Sequence, residues 1–140
     1  IKLGRDACIE ANIQGLHPRI SEMVGRLHYR TSYGQNMLRH SMEVAYLCQI
    51  TAAELGLDGA VSRRCGFLHD IGKAMDHDVE GGHPAIGMEF CKRFGEKESV
   101  LGGGGCFACL CAQCLFYLSV SCCSASDIAR ATINSGRVIL

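Results

Sequence analysis

A chain of 140 residues suits one domain, which on folding would bury roughly two thirds of its unfolded surface around a single core. Lysine plus arginine and aspartate plus glutamate balance at fourteen each, so no global field draws in nucleic acid or an acidic membrane, and any polyanion must be gripped by local groups. The N-terminal residues show no basic start, apolar run and small-residue cleavage site, and the sequence therefore predicts a reducing cytosol and no signal peptide.

Residues 1–16 read as a lead-in. His17-Pro18 opens a helical pattern in which Ile20, Met23, Val24 and Leu27 recur at three- and four-residue spacing, with Pro18 where a missing N–H is tolerated. The stretch HYRTSYGQN, residues 28–36, breaks that period, and Asn36 is a suitable N-cap for the next helix. That helix is predicted over 37–55, with an inner stripe of Met37, His40, Val44, Leu47 or Cys48, Thr51 and Leu55, and with Gly56 stopping it. Asp58 or Gly59 starts a third helix, whose stripe of Val61, Cys65 and Leu68 runs straight into His69-Asp70, with Gly72 near its end. A polar loop, 75–82, leads to a fourth helix opened by Pro84 and lined by Ile86, Phe90 and Phe94. The expected fold class is all-α, a bundle with short connections and no internal repeat, its core spanning 17–98.

The stretch FLHDIGKAMDHDVEGGH, residues 67–83, places three histidines, four acids and one lysine in seventeen positions. Taken singly, His40 would serve as a hydrogen-bonded core histidine and Asp70 as a helix-end carboxylate. Taken together, ionisable residues on apolar faces cost several kcal/mol each unless they are paired or bind a metal. Imidazole nitrogen and carboxylate oxygen suit a divalent cation. Adjacent helical residues lie about 100° apart, so His69 and Asp70 reach one ion only where the helix wall bends, and Gly72 makes such a bend easy.

The H…HD pattern with HDIGK at its centre resembles the HD superfamily of metal-dependent phosphohydrolases. Within it, GRLHYRTSYGQNMLRHSMEVA followed by FLHDIGKAMDHDVEGGHPAIG is similar to the HD domain of the ribonuclease Y family over about residues 13–98. The resemblance implies a helical HD-domain bundle in which His40, His69 and Asp70 hold a divalent metal ion (Mn, Mg or Zn). It implies a fourth ligand from an A-A-D segment, for which Asp127 in SASDIARA is the match, forty-four residues beyond His83. His69, Asp70 and Lys73 are then the catalytic group, with Lys73 neutralising charge that grows on the phosphate oxygens. His83 matches a second-metal ligand or phosphate contact, although as the opening of the fourth helix it also has a plain structural role. Arg26, Arg30 and Arg39 are candidates for RNA phosphate contacts or for a solvated face, and His77, Asp76, Asp78 and Glu80 fit a solvated loop.

The implied activity is cleavage of single-stranded mRNA by a metal-dependent endoribonuclease. An HD-type nucleotide or cyclic-nucleotide phosphohydrolase, or a truncated inactive module, are the alternatives. Implied partners are single-stranded RNA rather than DNA, a second copy of the chain, and an RNA-degradation assembly. The implied location is cytoplasmic, at the inner face of a bacterial membrane to which the family is anchored.

The pattern breaks after residue 98. Ser99 to Ser126 contains no charged residue, and no histidine follows His83, whereas the family carries a His-His-Gly segment there. One metal rather than two is therefore expected. Of the ten cysteines, Cys8, Cys48, Cys65 and Cys91 are scattered, three of them within helical stripes as small core residues, while six crowd between Cys106 and Cys123. Four readings of residues 99–140 stand: a zinc or iron–sulfur knuckle at Cys106, Cys109, Cys111 and Cys114; a membrane anchor; a buried helix pair; and a frameshifted or misjoined end of the HD domain.

Overall fold

The protein is described from a computed structural model over residues 2–75 and 82–101. Asp76, His77, Asp78, Glu80, Asp127 and the six clustered cysteines lie outside the described residues.

Helices α1 (Lys2–Glu10), α2 (Pro18–Arg26), α3 (Met37–Glu54), α4 (Gly59–Leu68), α5 (His83–Arg93) and α6 (Glu98–Leu101) make up the fold, with 3-10 turns at Leu27–Tyr29 and Ile71–Ala74. Strands β1 (Thr31–Ser32) and β2 (Gln35–Asn36) pair antiparallel between α2 and α3. The architecture is the expected all-α bundle. No helix among the described residues is long and apolar enough to cross a membrane.

Side chains set the helix starts where the sequence places them. Asn36 Oδ1 accepts from the backbone N–H groups of Leu38 and Arg39 at 3.1 and 3.2 Å, and Asp58 Oδ1 accepts from Ala60 and Val61 at 2.9 and 3.1 Å. Each cap satisfies donors the helix cannot, which stabilises it by about 1 kcal/mol. Gly56 follows α3 with φ +68°, the left-handed geometry that ends a helix at little steric cost.

The core joins Ile20, Val24 and Leu27 of α2 and its following turn to Leu38 and Ala45 of α3, Phe67 and Leu68 of α4, and Ile71. Phe67 is fully buried, worth about 1.5–3 kcal/mol by area removed from water. Cys8, Cys48, Cys65 and Cys91 are all buried, and burial pushes the Cys8 thiol up.

The inner stripe of α3 keeps Met37, Val44 and, of the pair Leu47 or Cys48, Cys48, but departs from the predicted one elsewhere. Leu47 and Leu55 are each 52% exposed, while Leu38, Ser41, Ala45 and Ala52 are buried beside Met37, Val44 and Cys48. The reason is close packing against α4: a Cβ at Gly66 would lie 2.9 Å from both Cys48 Sγ and the Val44 carbonyl oxygen, and 3.1 Å from Ala45 Cα. Small residues mark that contact, so apolar size alone misses Ser41, Ala45 and Ala52 and overstates Leu47 and Leu55.

The lead-in is itself helical. α1 buries Gly4, Ala7 and Cys8 and crosses α2 at a glycine pair, where a Cβ on Gly25 would stand 2.9 Å from the Gly4 nitrogen.

Candidate metal centre

α3 carries His40 in its first turn, and α4 delivers His69 immediately after its last residue, Leu68. Asp70 leaves the helical conformation at φ −108°, ψ 13°. The wall thus bends at Asp70 itself, two residues before Gly72, and this turns the carboxylate toward both imidazoles.

One ligand atom from each of His40, His69 and Asp70 fits within 4.8 Å of the others. His69 Nε2 lies 3.1 Å from Asp70 Oδ2 and His40 Nε2 lies 3.9 Å from it, with the two rings edge to face at 5.3 Å between centroids. His69 Nδ1 is 2.6 Å from the Gly66 carbonyl oxygen. A carbonyl only accepts, so Nδ1–H donates to it and Nε2 is the ring nitrogen that faces the site. Two imidazoles and a carboxylate converging in this way, with one tautomer fixed from outside, suit a borderline divalent cation.

Lys73 Nζ contacts Asp70 Oδ2 at 2.8 Å. Burial alone would raise the Asp70 carboxyl, but hydrogen bonds and charge from His69 and Lys73 hold it well below the usual carboxylate range. Burial, reinforced by the charge of His69, lowers His40 from its ordinary 6.5, which keeps the imidazole neutral and able to bind a cation at pH 7.

Both shifts oppose folding in acid. Below 6.5 the unfolded chain takes up a proton that folded His40 refuses until a lower pH, and below 3.8 the same holds for Asp70. Without metal, the urea midpoint is expected to fall as pH drops from 7 through 6 and further below 4, with His40→Gln flattening the upper part. A midpoint that rises on acidification would contradict this assignment.

The sequence profile described as HD domain matches residues 37–103. The chain carries an HD domain. It is 55% identical to ribonuclease Y of Rhodopirellula baltica over 101 residues, covering 72% of this chain and 19% of that protein. It is also 55% identical to ribonuclease Y of Desulforudis audaxviator over 98 residues (70% and 19%) and 54% identical to that of Thermus thermophilus over 98 residues (70% and 17%). The chain therefore spans about a fifth of the length of the curated relatives it matches. No solved structure matches it.

The remaining predicted residues of the HD domain fall into two groups. His83, the first residue of α5, brings Nε2 to 3.7 Å from Asp70 Oδ1 and stays 41% exposed. The three arginines each contact a group other than His40, His69 and Asp70. Arg26 pairs with Glu22 at 3.8 Å and Arg39 with Glu43 at 3.1 Å, both on exposed helix faces. Arg30 Nε donates to the Lys73 carbonyl at 2.9 Å, a structural tie between the segment before α3 and the turn that bears Lys73.

That turn meets α5 backbone to backbone. A Cβ on Gly72 would overlap the His83 carbonyl oxygen, and one on Gly87 would come 2.9 Å from the Gly72 nitrogen. Gly72→Ala is expected to lower stability by about 1–3 kcal/mol, the range for overpacking, measured by urea denaturation. Gly82→Ala, whose Cβ would meet only Pro84 Cδ at 3.7 Å, is the control that should stay near wild type.

Proposed function

We propose that this chain is the phosphodiesterase domain of a ribonuclease-Y-type endoribonuclease and hydrolyses single-stranded RNA with a divalent cation. The observation that carries the reading is the convergence of His40, His69 and Asp70 within 4.8 Å in a segment so similar to ribonuclease Y. A cation bound there supplies an activated water and a Lewis acid at phosphorus.

The protein's own groups do the rest. His40 and His69 would hold the cation through their Nε2 atoms, the second ring oriented by the Gly66 carbonyl, and Asp70 offers a carboxylate that remains ionised at neutral pH. Lys73, anchored on Asp70, places a positive charge where the phosphoryl oxygens gain negative charge. His83, half-exposed at the edge of the cluster, contacts an oxygen of the same phosphate or a second cation. Asp127 completes the ligand set in this reading.

Purified chain is tested with Mn²⁺, Mg²⁺ and Zn²⁺ in turn, against an unstructured RNA oligonucleotide and against cyclic and linear nucleotides. RNA cleavage that needs metal, at stoichiometric occupancy by mass spectrometry, is the expected result. Turnover of small nucleotides alone would replace the substrate, and a chain that retains no metal would remove the centre.

A further inference from the structure

The hairpin of β1 and β2 contributes none of the three converging side chains, yet it is fastened to the site from two sides. Met37 at the start of α3 donates its N–H to the Arg30 carbonyl at 3.0 Å, and Arg30 Nε reaches the Lys73 carbonyl. Asn36 caps α3 with its oxygen and donates its amide to the His28 carbonyl at 2.6 Å. Four helical residues from Asn36 to His40 rise about 6 Å, and three extended residues back to Tyr33 span at most about 10 Å. The hairpin tip therefore lies within about 16 Å of the His40 backbone.

Two aromatic rings project from this fastened unit into water: Tyr33 is 99% exposed and Tyr29 is 78% exposed. The two-residue loop Tyr33-Gly34 has φ +50° and +76°, the twist-matched hairpin turn in which asparagine or glycine is preferred at the first position. A tyrosine there strains the backbone and buries nothing in the fold, a combination that points to use rather than stability. Arg39, in the next turn of the chain, has a side chain 82% exposed, and its surface pair with Glu43 is of a kind worth little. Exposed aromatics together with cations are how proteins hold unpaired nucleic acid: the rings stack on any base while the cation follows the backbone.

We propose that Tyr33 and Tyr29 are base-stacking residues that hold an unpaired RNA strand beside the metal centre. This rests on the RNA-cleaving reading above and adds to it that bases, and not phosphates alone, are recognised.

The test uses the full chain without metal, so that binding is read apart from cleavage, and two fluorescent probes: an unstructured RNA and an abasic strand of equal length and charge. The wild-type chain should bind the RNA more tightly than the abasic strand. Tyr33→Ala should weaken RNA binding about 10-fold while leaving the abasic strand unchanged, Tyr29→Ala should act in the same direction, and Tyr33→Phe should bind as wild type. Equal RNA affinity in wild type and Tyr33→Ala, as expected of a surface for a protein partner, would overturn the proposal. So would a parallel loss on both probes, or a phenylalanine variant that behaves like the alanine one. Absence of cleavage when metal is restored would count against the phosphodiesterase reading and leave the stacking result standing.

Discussion

Replacing His69 and Asp70 together by alanine is expected to empty the metal centre and to lower metal-dependent phosphodiester hydrolysis on the order of 10³-fold or more, the loss of several kcal/mol of transition-state stabilisation. Each change removes one of the three converging ligands, and His69→Ala also leaves the Gly66 carbonyl without its ring partner. Residues that act on one ion behave as a unit, so His69→Ala alone should cost nearly as much as the double variant. Mass-spectrometric metal content and initial rates on RNA are measured side by side. A double variant that keeps both its metal and its activity would refute the centre.

The largest expected loss of stability lies elsewhere, at Glu96. Its side chain is 1% exposed and faces Arg64, which donates from Nε and from the terminal nitrogen to the two carboxylate oxygens, both at 2.9 Å. The same guanidinium holds the carbonyls of Gln14 and Gly15 at 2.5 and 3.3 Å. One paired fork thus ties α4 to the segment after α1 and to the turn after α5. Glu96→Ala takes the carboxylate from a largely covered guanidinium and is expected to cost about 3 kcal/mol in urea denaturation, whereas Arg64→Met with Glu96→Leu should recover most of it, since an apolar pair needs no compensation. If the single and double variants lose stability equally, charge pairing is not what this contact contributes.

Much of the site is legible in the sequence because it obeys two strong local rules. His40 sits on a helix started by a capping asparagine, and His69-Asp70 ends a buried run, so periodicity and cap together predict that the three meet. The packing around them is harder to see. α1 leaves no helical signal because its buried face is Gly4, Ala7 and Cys8, which gives no stripe of large apolar residues. On the inner face of α3 the choice between Leu47 and Cys48 falls to Cys48 and the expected Leu55 is exposed for the same reason, as helix pairs in close contact select small residues. The hairpin escapes a reading by alternation because its strands are two residues each, although Tyr33-Gly34 between polar neighbours carries the turn signal. The Arg64–Glu96 pair spans thirty-two residues and leaves no local pattern.

The meeting of Gly72 and Gly87 bears on how such a domain can change over time. The two are fifteen positions apart, carry no side chain, and would look dispensable in any survey of charged or catalytic residues. Because a Cβ on either would collide across the contact, drift at either position displaces the start of α5, and His83 with it, from the turn after Asp70 while His40, His69 and Asp70 themselves are unchanged. A saturation library scored for hydrolysis should therefore show two intolerant positions that carry no chemistry of their own, and a homologue without them would need a different route for α5 before it could use the same ligands.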